Sequence, residues 1–155
     1  MGRLYKAFIL PHLEYCGPLL LGVGNTQANK LENTNYYILR SILGFCRQTP
    51  YEFLLKTVGV SSLEQRRKFQ ALVLVYKCLH NQAPSYIQDL FNFKVCSYNL
   101  RGSGTILEMP RCNLEWRHKS FSFIAARIWN SIPLFVRVAN DLLTFKRLLG
   151  KYSRL

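Results

Sequence analysis

Acidic residues are scarce in this chain of 155 residues: eight Asp and Glu stand against 21 Lys and Arg, a net charge of +13. Only two of the eight are aspartates, Asp89 and Asp141, and neither neighbours another acid. Two-metal phosphoryl transfer needs carboxylates converging on a pair of ions, and the sequence supplies no such set. The five cysteines, Cys16, Cys46, Cys78, Cys96 and Cys112, are odd in number, widely spaced and without a CxxC pair. That argues against a zinc cluster and against a disulfide framework, and suits a reducing compartment. His12, His80 and His118 lie far apart, so neither a metal nor a cofactor is expected. No serine sits in a G-x-S-x-G context, and the only glycine-rich stretch, Arg101 to Gly104, lacks the lysine of a phosphate-binding loop. Enzymatic chemistry and a small-molecule substrate are not expected.

Long apolar runs are missing too. The most apolar N-terminal stretch, Ala7 to Gly24, is interrupted by Pro11, His12, Glu14 and Pro18. A span needs about 20 apolar residues, so no transmembrane helix is expected. The apolar run Ala7 to Leu10 is short for a signal peptide, and Lys6 stands where a myristoylation pattern needs Ser or Thr. The expected location is intracellular, in nucleus or cytoplasm, with no membrane partner. There is no internal repeat and no low-complexity tract.

What remains is 49% hydrophobic, rich in Phe and Tyr, and strongly basic. Surplus charge of one sign destabilises a compact state unless a polyanion answers it, so nucleic acid ranks first among partners. A membrane surface ranks second, and a basic surface serving only solubility is the plain alternative. The apolar periodicity predicts a mainly α protein: a helical bundle of about six or seven helices with one long irregular connection, 92–119, able to hold a short hairpin.

At the centre lies Ser61 to His80. Ser61 or Ser62 is placed to cap a helix, with Glu64 or Gln65 three residues on. Phe69, Leu72, Val73, Tyr76 and Leu79 share one face, and Ala71, Leu74, Val75 and Cys78 fill much of the other, so its second half is expected to be buried on several sides. Before it, Leu4, Ala7, Phe8, Pro11 and Tyr15 recur at helical intervals, with Pro11 expected to kink or divide the helix. A second helix is expected from Asn25 or Thr26 to Leu43, with Leu31, Ile38, Leu39 and Ile42 inward and Gly44 ending it. Pro50 opens a short helix that stops at Gly59, and Pro84 starts another. Later, Phe121, Ile124, Ala125, Ile128 and Trp129 form an apolar stripe ended by Pro133. A last helix is expected from Asn140, with Leu142, Phe145, Leu148 and Leu149 inward.

The cations form several candidate sites. Arg66, Arg67 and Lys68 stand together near a helix start, suited to phosphate or equally to a solvated helix surface with Glu64 as partner. Arg111, Arg117, His118 and Lys119 have Trp116 among them. That pattern suits single-stranded nucleic acid, and suits equally an anchor pinning the long connection. Arg127 and Arg137 flank the turn at Trp129–Pro133, and Trp129 itself reads as core. Lys146, Arg147 and Lys151 gather toward a helix C-terminus, which they would complement without any ligand.

The words of the chain go further. LYKAFILPHLEYCGPLLLG followed by LENTNYYILRSILG resembles the region just after the palm in reverse transcriptases of non-LTR retrotransposons (LINEs) of the jockey-like kind. SLEQRRKFQALVLVYKCLHNQAPSYIQDLF and the later YNLRG, SFSFIAARIWNSIP and LLTFKRLL resemble the C-terminal extension of the same polyproteins, in the same order. The resemblance implies a thumb-like helical region over 1–60 and a C-terminal extension over 61–155, packed as one unit. It implies a non-catalytic fragment of an RNA-directed DNA polymerase whose palm, fingers and endonuclease lie elsewhere. The Met directly before the thumb-like block fits a copy of the C-terminal part alone. The expected partners are template-primer RNA and DNA, together with the missing palm and fingers. A relic helical scaffold with no nucleic-acid binding of its own is the alternative.

Overall fold

The computed structural model describes residues 2–94, 103–111 and 113–152. The chain is mainly helical, as its periodicity predicts. It divides into two compact units, Met1–Arg67 and Lys68–Leu155. The division falls inside a helix, seven residues beyond the sequence-level boundary at 60/61.

The first unit opens with three helical pieces in immediate succession: α1 (Gly2–Leu4), a π-helical segment Tyr5–Ile9, and α2 (Leu10–Glu14). Pro11 sits in the first turn of α2. A proline has no N–H and crowds the carbonyl four residues back; the wide π turn before it relieves both problems without breaking the run. Gly17–Gly22 then winds as a 3-10 helix after Cys16, whose φ of 54° turns the chain. The apolar face differs from the expected one. Leu4, Ala7, Phe8, Pro11 and Tyr15 are all exposed, while Tyr5 and Leu10 are buried. A π turn adds residues to the helical repeat, so a stripe counted at 3.6 residues per turn loses phase across it.

Helix α3 (Asn25–Leu43) has the expected span, and Gly44 ends it at φ 71°. Gly24, not Asn25 or Thr26, takes the N-cap position, and no side chain caps it. Leu39 is buried as expected, Leu31, Ile38 and Ile42 are half-buried, and Asn35 is fully buried beside them. Helix α4 (Tyr51–Val58) follows Pro50 and ends at Gly59, φ 67°. Tyr5, Leu10, Leu39, Leu54, Leu55, Val58 and Leu63 form the core of this unit.

Helix α5 (Leu63–Leu79) is the central helix, and Ser62 Oγ accepts the Gln65 N–H at 3.3 Å. Its second half belongs to the core of the second unit, with Leu72, Val75, Tyr76 and Cys78 buried there. The core continues through Phe91, Leu107, Ala125, Ala126, Trp129, Val136, Phe145 and Leu149. Phe91 and Leu107 come from the connection before α7 (Glu115–His118), and the rest from α8 (Phe121–Ser131), α9 (Leu134–Arg137) and α10 (Leu142–Tyr152), with α6 (Ser85–Gln88) and α7 as single turns. Trp129 is core, as its stripe predicts. Its ring stacks on Phe145 at 5.7 Å, and Phe145 stacks on Tyr76 at 4.5 Å.

Within the connection 92–119 the described residues make one antiparallel pairing. Phe93 and Leu107 form an antiparallel bridge, with Lys94 N–H donating to Ile106 O and Glu108 N–H to Asn92 O, each at 2.8 Å. The Asn130 side chain from α8 pairs with the other edge of Leu107: Leu107 N–H donates to its Oδ1, and its Nδ2 donates to Leu107 O, both at 2.9 Å. Helix α7 occupies part of the expected loop. Cys96, Cys112 and most of the FKVCSY and RGSG segments lie outside the described residues.

Candidate nucleic-acid interface

The Arg66–Lys68 cluster is taken apart by the fold. The Arg66 Nε donates to Glu14 Oε1, and the side chain is half-buried. Burial lowers its pKa from the ordinary value, opposed by the nearby Tyr5 hydroxyl. Arg67 is only 4% exposed, a buried charge within the first unit. Its Nη2 lies 4.0 Å from Glu32 Oε1. Lys68 is exposed.

Glu32 is the residue that sequence reasoning missed. Its Oε2 accepts the Tyr51 hydroxyl at 2.7 Å, and its Oε1 accepts the backbone N–H of Glu64 at 2.8 Å, satisfying an orphan donor in the first turn of α5. Behind Tyr51 the network runs inward. Asn35 Nδ2 donates to the Tyr51 hydroxyl at 2.7 Å, and the Tyr5 hydroxyl donates to Asn35 Oδ1 at 2.6 Å. Burial is the first cause raising the pKa of both tyrosines; for Tyr51 the carboxylate of Glu32 adds to it. Asn35, with Leu31 four residues before it and Ile38 and Leu39 three and four after, was the one signal in the sequence, since a buried amide requires partners.

Six of the remaining candidate cations stay accessible. Arg111, Arg117, Lys119, Arg127, Lys146 and Arg147 are exposed, all in the second unit. That unit holds 13 of the 21 Lys and Arg against four of the eight Asp and Glu. Trp116 on α7 is 65% exposed, and the Arg117 guanidinium lies over its ring at 6.0 Å. The two line a shallow depression with Pro110, Ser120 and Ser122. His118 instead packs edge-on against Phe123 at 4.6 Å, the packing expected of an anchor. Arg111 borders a separate depression with Lys94 and Asn130.

Arg137 differs from these. It is half-buried, and its Nη1 donates to Thr105 O at 3.4 Å, the same carbonyl that accepts the Trp129 Nε1 at 3.0 Å. It holds the connection onto the core. Lys146 and Arg147 lie mid-helix, because α10 continues to Tyr152. The helix dipole acts within the last turn, so it explains Lys151 and not these two.

Among the described residues no helix is long and apolar enough to cross a membrane, and no group of three or more His, Cys, Asp or Glu converges as a metal site. No family model, no curated protein and no solved structure matches this chain.

Proposed function

We propose that this chain is a non-catalytic helical module that binds nucleic acid through phosphate contacts and ring stacking. On the strength of the motif resemblance, we take it as the thumb and C-terminal extension of a non-LTR reverse transcriptase, serving template-primer RNA and DNA inside the cell. One observation carries the binding reading: an exposed tryptophan, Trp116, lies under Arg117, in a unit that also exposes Arg111 and Lys119. Bases stack on such a ring while the cations neutralise the backbone and release its counterions. Phosphate contacts of this kind position the strand without reading its sequence.

The test is fluorescence anisotropy of the full chain with a labelled RNA–DNA hybrid and with a labelled single strand, repeated across salt concentrations. The expected result is log affinity falling linearly with log salt, with a slope that implies several phosphates. Weak binding at low salt with no slope overturns the reading. The alternative, a scaffold that docks on the rest of a polymerase and binds no nucleic acid itself, draws on the exposed apolar side chains Leu4, Phe8 and Tyr15. That same null result would favour it.

A further inference from the structure

We infer that the first unit carries its own stacking platform for single-stranded nucleic acid, built where α3 ends and α4 begins. The inference rests on the nucleic-acid reading above, but on different residues in the other unit. Tyr37 is 52% exposed, Phe53 51% and Phe45 38%. Large aromatic rings bury well, so three of them left in solvent between the end of α3 and the start of α4 require a reason. They are not scattered. Phe45 and Phe53 meet edge-to-face at 5.5 Å, and Tyr36 and Tyr37 do the same at 5.5 Å.

Arg40 lies against the tyrosine pair, and its backbone leads into the turn that carries Phe45. Its guanidinium lies 5.3 Å from the Tyr37 ring and 5.7 Å from the Tyr36 ring, and its backbone carbonyl accepts the Phe45 N–H at 3.2 Å. Its Nη1 is buried with no hydrogen-bond partner. Nearby, the Tyr36 hydroxyl donates to the Arg47 carbonyl at 2.8 Å, fixing the turn that presents the exposed Arg47. From Tyr36 to Phe53 the sequence has one acidic residue, Glu52, against these two arginines.

Exposed rings beside the Arg40 guanidinium match the chemistry of unstacked bases on a phosphate backbone. A duplex hides its base faces by stacking, so the occupant is a run of a few unpaired nucleotides. A protein partner would be expected to bring apolar side chains to the rings and carboxylates to Arg40 and Arg47; the surplus positive charge of the whole chain favours the polyanion.

The experiment uses the full chain and a labelled oligouridylate of about 20 nucleotides. Tyr37→Ala and Phe53→Ala are each expected to weaken binding by about 5-fold or more, with the salt slope unchanged, because each removes a ring and not an ion pair. Tyr37→Phe keeps the ring and is expected to restore affinity. Both positions are half exposed, so the variants should keep the helical circular dichroism of the parent chain. Wild-type affinity in both alanine variants, alongside weakened binding in Trp116→Ala, overturns the platform and leaves the proposed function standing. Failure of the parent chain to bind the strand or a hybrid at low salt overturns both.

Discussion

Glu32 on α3 and Glu64 at the start of α5 meet through a 2.8 Å hydrogen bond in which the carboxylate of the first accepts the backbone N–H of the second. The same carboxylate takes the Tyr51 hydroxyl and faces the buried Arg67. One side chain therefore ties together α3, α4 and the first turns of α5. Glu32→Ala would leave a buried guanidinium unanswered and a helix N–H unpaired. We expect a loss of about 3–5 kcal/mol in chemical denaturation. Glu32→Gln, which keeps an acceptor but not the charge, should fall between. The double variant Glu32→Ala with Arg67→Met should lose less than the two single variants combined, since the uncompensated charge is gone.

The tyrosines give this network a pH dependence at the alkaline end. Burial raises the hydroxyl pKa of Tyr5 and Tyr51 above the ordinary 10.0, so the folded state holds these protons more tightly than the unfolded chain. Their contribution is complete below pH 10 and is lost as pH rises beyond it, because the unfolded tyrosines ionise first. Denaturation midpoints measured from pH 8 upward should stay level and then fall past about 10. Tyr51→Phe should be less stable at neutral pH and show a shallower alkaline fall.

Asn130 offers a local test. It supplies both hydrogen bonds to the backbone of Leu107, a residue only 1% exposed. Asn130→Ala leaves a donor and an acceptor unsatisfied beside the core, at a cost of about 1–3 kcal/mol for each group. Amide hydrogen exchange at Leu107 should accelerate well beyond that in the middle of α8. Equal protection in the two proteins would mean that the bridge to Phe93 is sufficient alone.

Much of this architecture was legible in the sequence where a local signal decides it. Gly44 and Gly59 end α3 and α4 because each sits at positive φ, a conformation that glycine adopts without penalty. Trp129 is core because its stripe runs unbroken along α8. The stripe of the first helix misled because the π segment Tyr5–Ile9 shifts the phase, which brings Tyr5 inward and leaves Phe8 at 68% exposure. The surroundings of the basic cluster were hidden for a different reason. Arg66 and Arg67 look like a solvated pair beside Lys68, and only the fold brings Glu14 and Glu32, 52 and 35 positions away, against them. A charge is readable from sequence; the partner that buries it is not, when that partner lies on another helix. The isolated asparagine within the apolar face of α3 carried more information than the run of cations did.

Lys146 and Arg147 separate binding from structure most cleanly. Both are exposed in the middle of α10, whose inward side is held by Phe145 and Leu149. If they served only the helix, reversing their charge would lower stability; if they neutralise phosphate, it would change the salt dependence of binding. We expect Lys146→Glu with Arg147→Glu to shift stability by no more than about 0.5 kcal/mol per site, the range of surface substitutions away from caps and cores. The slope of log affinity against log salt should flatten by roughly 0.9 for each duplex phosphate that is no longer neutralised. Thermal unfolding and anisotropy on the same preparation check both halves. A stability loss with an unchanged slope would remove α10 from the interface and leave the Trp116 surface as its remaining part in the second unit.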